Sequence, residues 1–291
     1  MKILSEKPKR HPHAIFVSAG DRETFASHAL DNLTDAFDVL VFQYGSSAEK
    51  QNHFARDATV FANGSGTKFN ALKSIFVERP DILERYETIW VCDDDLVLEY
   101  GDYRDLPLIQ KAFNVQVLSP AHSIKGKISH QIMLPHLGLH IFRYTSFVEM
   151  TCPLFSTESL FKFLRHYDGS LRGYAEDWWF LWVLGARTEG VAGIADSVTI
   201  INPHNVQKPG GFGEMELQGE RNELRLHWLS AMQKYGMKEW PARTLSYVRK
   251  RNSFYRPLRD VMGSAIAMGN YTMRFYRLRK KIARALRVQG S

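Results

Sequence analysis

The sequence predicts an α/β fold, with a mixed, mostly parallel sheet flanked by helices on both faces and continued by a basic helical tail. Three observations predict it. Short apolar runs of β-branched and aromatic residues alternate with segments of helical spacing through the first half of the chain, which builds β-α-β units. One of those runs, Glu87–Cys92, passes straight into Asp93, Asp94 and Asp95, setting three carboxylates at the end of a buried-type strand. The charge is also unevenly divided: from Pro241 to Ser291, 13 Lys or Arg stand against Asp260 alone, so the net +7 splits into +12 there and −5 over residues 1–240.

In order, His13–Ser18 and Phe37–Tyr44 read as strands separated by a helix within Asp21–Thr34. A third strand at Ala58–Ala62 ends in the turn cluster Asn63-Gly64-Ser65-Gly66, and Lys68–Glu78 follows with Phe69, Leu72, Ile75 and Phe76 at helical spacing. Glu87–Cys92 is the fourth strand. The second half is less regular, with a helix at Asp105–Phe113, strands at Asn114–Leu118 and within Gly138–Met150, and helices at Ser156–His166 and Tyr174–Ala186. A strand at Gly190–Ile201 leads into Asn202-Pro203-His204. Pro209–Gly213 is a glycine-rich loop, and Gln218–Tyr235 is a charged helix that closes the body. The expected domains are 11–235 for the α/β body and 241–291 for the tail.

With 291 residues and 44% hydrophobic content the chain can bury a full core, which excludes disorder throughout. No run of 18 apolar residues occurs, and the first residues carry charge where a signal peptide needs its apolar segment, so a cytoplasmic location is expected. Cys92 and Cys152 each lie inside an apolar run and read as small core residues rather than a disulfide framework or a zinc site.

Three adjacent carboxylates repel one another unless a cation or strong donors compensate. Asp93 and Asp95 are hard oxygen ligands suited to Mn²⁺ or Mg²⁺, at the strand end where open α/β sheets bind ligands. Lys68, at a helix start after Gly66-Thr67, and Lys73 on the same helix are candidates to meet diphosphate oxygens. Glu176 and Asp177 form a second acidic centre at another helix start, where one is a candidate general base. Trp178 and Trp179 are a candidate wall for a sugar ring. Glu149, an acid within an apolar run, is a candidate acceptor contact or a paired structural charge.

The runs YETIWVCDDDL, FVEMTCPLFS, GYAEDWWF and IADSVTIINPH, in that order, resemble the family of GT-A-like proteins filed as domain of unknown function 707, over about residues 13–204. The resemblance implies a GT-A-like (Rossmann-like) fold and transfer of a sugar from a nucleotide-sugar donor to a hydroxyl of a glycan or lipid-linked acceptor. It implies a divalent metal on the DxD pair Asp93 and Asp95, with His204 as a late ligand and Asp94 turned toward the ribose or a neighbouring donor. It favours Asp177 over Glu176 as the base of an inverting displacement. Two other readings keep the same acids: a metal-dependent phospho- or nucleotidyltransferase, and a carbohydrate-binding or scaffold protein without turnover.

In the tail, Met268, Tyr271, Phe275, Leu278, Ile282 and Leu286 recur at spacings of three and four among basic residues within Ala265–Val288. Such a helix suits an anionic membrane surface, so a peripheral position on the inner face of a membrane is expected. Nucleic acid is not an expected partner, since no reader motif accompanies the charge.

Overall fold

The computed structural model describes residues 1–136, 140–203 and 214–249, without the side chains of 214–220. His204, the loop at 209–213 and the predicted tail helix at 265–288 lie outside the described residues.

The chain order is β1 (Lys2–Glu6), β2 (His13–Ala19), α1 (Phe25–Asn32), β3 (Asp38–Gln43), α2 (Ala48–Asp57), β4 (Val60–Asn63), α3 (Lys68–Glu78), α4 (Pro80–Glu84), β5 (Thr88–Cys92) and β6 (Val97–Tyr100). It continues α5 (Asp105–Ala112), β7 (Val117–His122), β8 (His140–Thr145), β9 (Leu154–Ser156), α6 (Thr157–His166), α7 (Glu176–Leu184), β10 (Ala192–Ile201), α8 (Glu214–Tyr235) and β11 (Thr244–Arg249). Among the described residues one sheet takes all eleven strands, in the order β1-β4-β3-β2-β5-β9-β7-β10-β8-β11, with β6 paired to β10. Pairs β4-β3, β3-β2, β2-β5 and β7-β10 are parallel, and β1, β6, β8 and β9 alone run against the other strands. The expected mixed, mostly parallel sheet with helices on both faces is what forms.

Each face carries its own core. Phe25, Phe54 and Leu106 seat α1, α2 and α5 on one face, against Trp90 and Val41. On the other, Phe69, Leu160, Phe163, Phe180 and Trp228 seat α3, α6, α7 and α8 against Val91 and Phe155. Cys92 and Cys152 are both free, fully buried core residues.

The sheet reaches beyond residues 11–235. Residues Lys2–Glu6 pair with β4, and Thr244–Arg249, inside the segment expected to be helical tail, pair antiparallel with β8. The reason is local: in TLSYVR, β-branched and aromatic residues suit an open edge. β7 also runs past Leu118 through Pro120 to His122. Proline cannot donate to a ladder, and β10 accommodates it with a break in register between Ala195, opposite Pro120, and Thr199, opposite Ala121. Asp196 sits in that break, where it binds Arg143 through Nε at 2.8 Å and Nη2 at 3.0 Å. Arg143 also donates to the carbonyls of Ile132 and Leu134, so this buried pair fastens the segment before β8 to the sheet. Among the described residues, no helix is long and apolar enough to cross a membrane.

Candidate active site

The carboxyl ends of β2, β3, β4, β5, β7 and β10 lie along one edge, and the charged sequence motifs collect there. β5 is buried through Cys92, and its first residue past the end, Asp93, still joins the sheet by donating its N–H to Thr151 O at 2.9 Å. Asp94 fastens the neighbouring loop. Its Oδ2 accepts from Gly20 N at 2.8 Å and Tyr44 Oη at 3.1 Å, while its carbonyl accepts from Thr24 N and Phe25 N at the start of α1. That tie explains why α1 begins at Phe25 rather than Asp21. Gly20 permits it, because a Cβ there would lie 2.6 Å from Tyr44 Oη.

Two hollows meet at Asp93 and Asp94. The smaller, about 370 Å³, is lined by Ser18, Tyr44, Gly66, Thr67, Lys68 and Glu176 among others. Thr67 precedes α3 but turns its hydroxyl to Asn70 Oδ1, so the first N–H groups of that helix have no side-chain cap. This is the arrangement that attracts an anion. Lys68 is 5% exposed, and its three N–H groups go to Asp93 Oδ1 at 2.7 Å, Thr151 O at 2.9 Å and Met150 O. A lysine ammonium has three donors. Lys68 is therefore spent on holding Asp93 to the 150–151 segment rather than reaching a diphosphate. Lys73 lines neither hollow, and its Nζ donates to Leu164 O of α6 at 2.6 Å.

The larger hollow, about 630 Å³, is lined by Asp95, Glu149, Asp177, Trp178, Lys127 and Arg221 together with Asp93 and Asp94. The turn into α7 delivers Asp177: Gly173 and Ala175 both take positive φ, 78° and 55°, the latter uncommon for a residue with a Cβ. Burial pushes the Asp177 carboxyl up to about 7, and the neighbouring Glu149 pushes the same way. Burial raises Glu149 as well, with Asp93 adding to it. Glu176 faces the smaller hollow. It is fully buried, accepts from Tyr167 Oη, and is pushed by burial up to about 8.

The two tryptophans separate. Trp178 lines the larger hollow and packs edge-on to Trp240. Trp179, 1% exposed, lies in the core against Tyr167 and Tyr235, so the sugar wall expected of it does not form there. Adjacent helix positions point about 100° apart, which is why only one of the pair can face the hollow. Sequence reading missed His122, because it ended that strand at Leu118, and Tyr44, which looked like the last residue of a strand.

The donor chemistry of this edge fits a divalent cation: hard carboxylate oxygens of Asp93 and Asp95 line a cleft in which Glu149 and Asp177 add like charge. Among the described residues no three acidic, His or Cys side chains already converge as a metal shell.

No family model matches the chain, and no curated protein does. Solved structures similar to it include TarS 1–349 of S. aureus, with a TM-score of 0.46 and 12% identity over 64% of this chain and 59% of that one. They also include GalNAc-T7 with UDP, GalNAc and Mn²⁺, with a TM-score of 0.46 and 8% identity over 67% of this chain and 43% of that one. The chain thus spans less than two thirds of the length of either.

Proposed function

We propose that the protein is a GT-A-like glycosyltransferase that moves a sugar from a nucleotide-sugar donor to a hydroxyl of a glycan or lipid-linked acceptor, with inversion. The observation that carries this reading is the pair of adjoining hollows: one offers uncapped helix N–H groups for a diphosphate, the other a carboxyl raised to about 7.

In the smaller hollow, the first-turn N–H groups of α3 receive diphosphate oxygens. In the larger, Asp177 takes the proton from the acceptor hydroxyl as it attacks the anomeric carbon, Glu149 accepts a hydrogen bond from the same acceptor, and Trp178 offers its ring to a sugar face. A base poised near neutrality suits this task. Glu176 is a buried neighbour that holds the turn through Tyr167. Asp93 and Asp95 are the residues that would hold Mn²⁺ or Mg²⁺, with His204 as the expected third. Such an ion, when bound, offsets the charge of the departing nucleoside diphosphate.

Thermal shift with UDP-glucose, UDP-galactose, UDP-N-acetylglucosamine and GDP-mannose, each with and without Mn²⁺, tests this, because a ligand that binds the native state raises its stability. A Mn²⁺-dependent rise with at least one donor is expected, abolished in Asp95→Asn. Metal-dependent binding that persists in a folded Asp95→Asn protein would remove the metal assignment. No response to any nucleotide sugar would remove the donor assignment.

The basic segment beyond β11 is proposed as an anchor to an anionic membrane surface, placing the enzyme peripherally at the cytoplasmic face. Truncation must follow Arg249, since an earlier cut removes β11. The truncated protein should keep donor binding and lose sedimentation with anionic liposomes, and the intact protein should detach as salt rises. Liposome binding that survives the truncation would contradict this.

A further inference from the structure

Behind Glu149 lies a histidine that no motif singled out. His122 ends β7 with no exposure, and its Nδ1 stands 3.5 Å from Glu149 Oε2. Both atoms are buried, and neither has a hydrogen-bond partner among the described residues. Buried polar atoms are rarely left so, and the obvious remedy for each is the other. On its far side, His122 Nε2 is 3.9 Å from Cys152 Sγ, itself 4.0 Å from Ser119 Oγ. A line of polar atoms thus runs from the core, through the imidazole, to a carboxyl that lines the larger hollow.

The chemistry of the neighbours fixes the direction of the line. Burial pushes His122 down to about 3, so the ring is neutral and carries one N–H. Burial raises Cys152, so its sulfur keeps its proton and can donate weakly to Nε2. The Glu149 carboxyl already accepts from Thr151 Oγ1 at 3.4 Å on Oε1. Where the carboxyl accepts on both oxygens, Oε2 needs a donor, and the Nδ1–H form of His122 supplies it.

We propose that His122 is the positioning residue of the larger hollow: its Nδ1–H holds Glu149 Oε2 from behind, fixing the carboxyl that meets the acceptor beside Asp177. The contact itself stands on the geometry alone; what Glu149 then touches rests on the transferase reading above.

Two measurements test it. In the full-length protein carrying ¹⁵N-histidine, long-range ¹H–¹⁵N correlation reports which ring nitrogen bears the proton, and His122→Asn identifies the signal. The Nδ1–H form is expected in the wild type, with a change to the Nε2–H form in Glu149→Leu, which removes the acceptor. Nε2–H in the wild type overturns the proposal. The second measurement is Mn²⁺-dependent hydrolysis of the four nucleotide sugars named above, with water as acceptor. His122→Phe should lower turnover about tenfold, the scale of one lost hydrogen bond, with the half-saturating donor concentration unchanged. His122→Asn, which restores an N–H near the same place, should recover most of it. In a Glu149→Gln background the His122→Phe loss should shrink to about twofold or less. Wild-type hydrolysis in a folded His122→Phe protein, or the same loss without Glu149, overturns the positioning role. If the wild type hydrolyses none of the donors, the transferase reading fails, while the tautomer still decides the contact.

Discussion

The two hollows share Asp93 and Asp94 but solve opposite electrostatic problems. In the smaller, the charges of Lys68 and Asp94 are spoken for: Lys68 gives all three N–H groups to Asp93 and two carbonyls, and Asp94 is held by Gly20 and Tyr44, while Ser18 Oγ and Glu176 Oε2 are buried without a partner among the described residues. To an anion it offers the uncapped start of α3. In the larger, carboxyls crowd together, and burial raises Glu149 and Asp177. On the proposed reading the first receives negative charge at a helix start, and the second sets Asp177, raised to about 7, among other carboxyls. The difference teaches that binding and proton removal can be assigned to separate walls of one cleft, and therefore broken separately.

The largest effect should come from the larger hollow. Asp177→Asn is expected to lower turnover by about two to four orders of magnitude, the scale of a lost general base, with donor affinity within about twofold of wild type. Steady-state kinetics beside donor titration checks both halves, and full activity in the folded variant would move the base elsewhere.

Glu176 sharpens the comparison from the stability side. Its folded value of about 8 lies above that of an unfolded glutamate, about 4.3, so the folded state holds the proton more tightly. The stability it contributes is full below about pH 4 and is lost as pH rises through about 8. Glu176→Gln, which cannot ionise, should therefore be more stable than wild type at pH 8, by on the order of 2–4 kcal/mol, and about equal to it near pH 4. Denaturant unfolding at the two values measures this. A penalty at pH 8 would mean that the buried acid is held ionised.

Smaller still is Lys68→Met, which keeps the side chain's length but leaves Asp93 Oδ1 and the Met150 carbonyl without that donor, Thr151 O keeping only the Asp93 N–H. A loss of about 1–3 kcal/mol is expected, discounted because Asp93 is partly exposed. Stability unchanged in that variant would contradict the role of Lys68 as the pin between β5 and the 150–151 segment.

Much of this edge was legible in the sequence, for a physical reason. A buried strand that stops in three aspartates, and a glycine-bearing turn that ends in Asp177 at a helix start, are local patterns. Periodicity and composition report such patterns directly. The paired role of His122 and Glu149 was not legible, because it arises between β7 and the segment before β9, and Pro120 disguised the strand that carries the histidine. Lys68 was legible as a charge near the site but not in its use, since its partners lie 25 and more residues away. Trp178 and Trp179 show the same limit: residue type predicted an aromatic wall, and only helix phase decided which ring faced the hollow. β11 was hidden by the basic composition around it, which reads as tail until β8 supplies an edge to pair with.

The most direct test of separate walls is the pH dependence of turnover and of donor affinity, followed together on the same wild-type protein. With Asp177 raised to about 7, turnover at saturating donor should climb with pH through that value as the carboxyl ionises, while donor affinity stays flat until Glu176, raised to about 8 beside the smaller hollow, ionises and weakens it. A turnover profile flat from about pH 5 to 9, or donor affinity tracing the same curve as turnover, would contradict the division of the cleft into a binding wall and a proton-removing one.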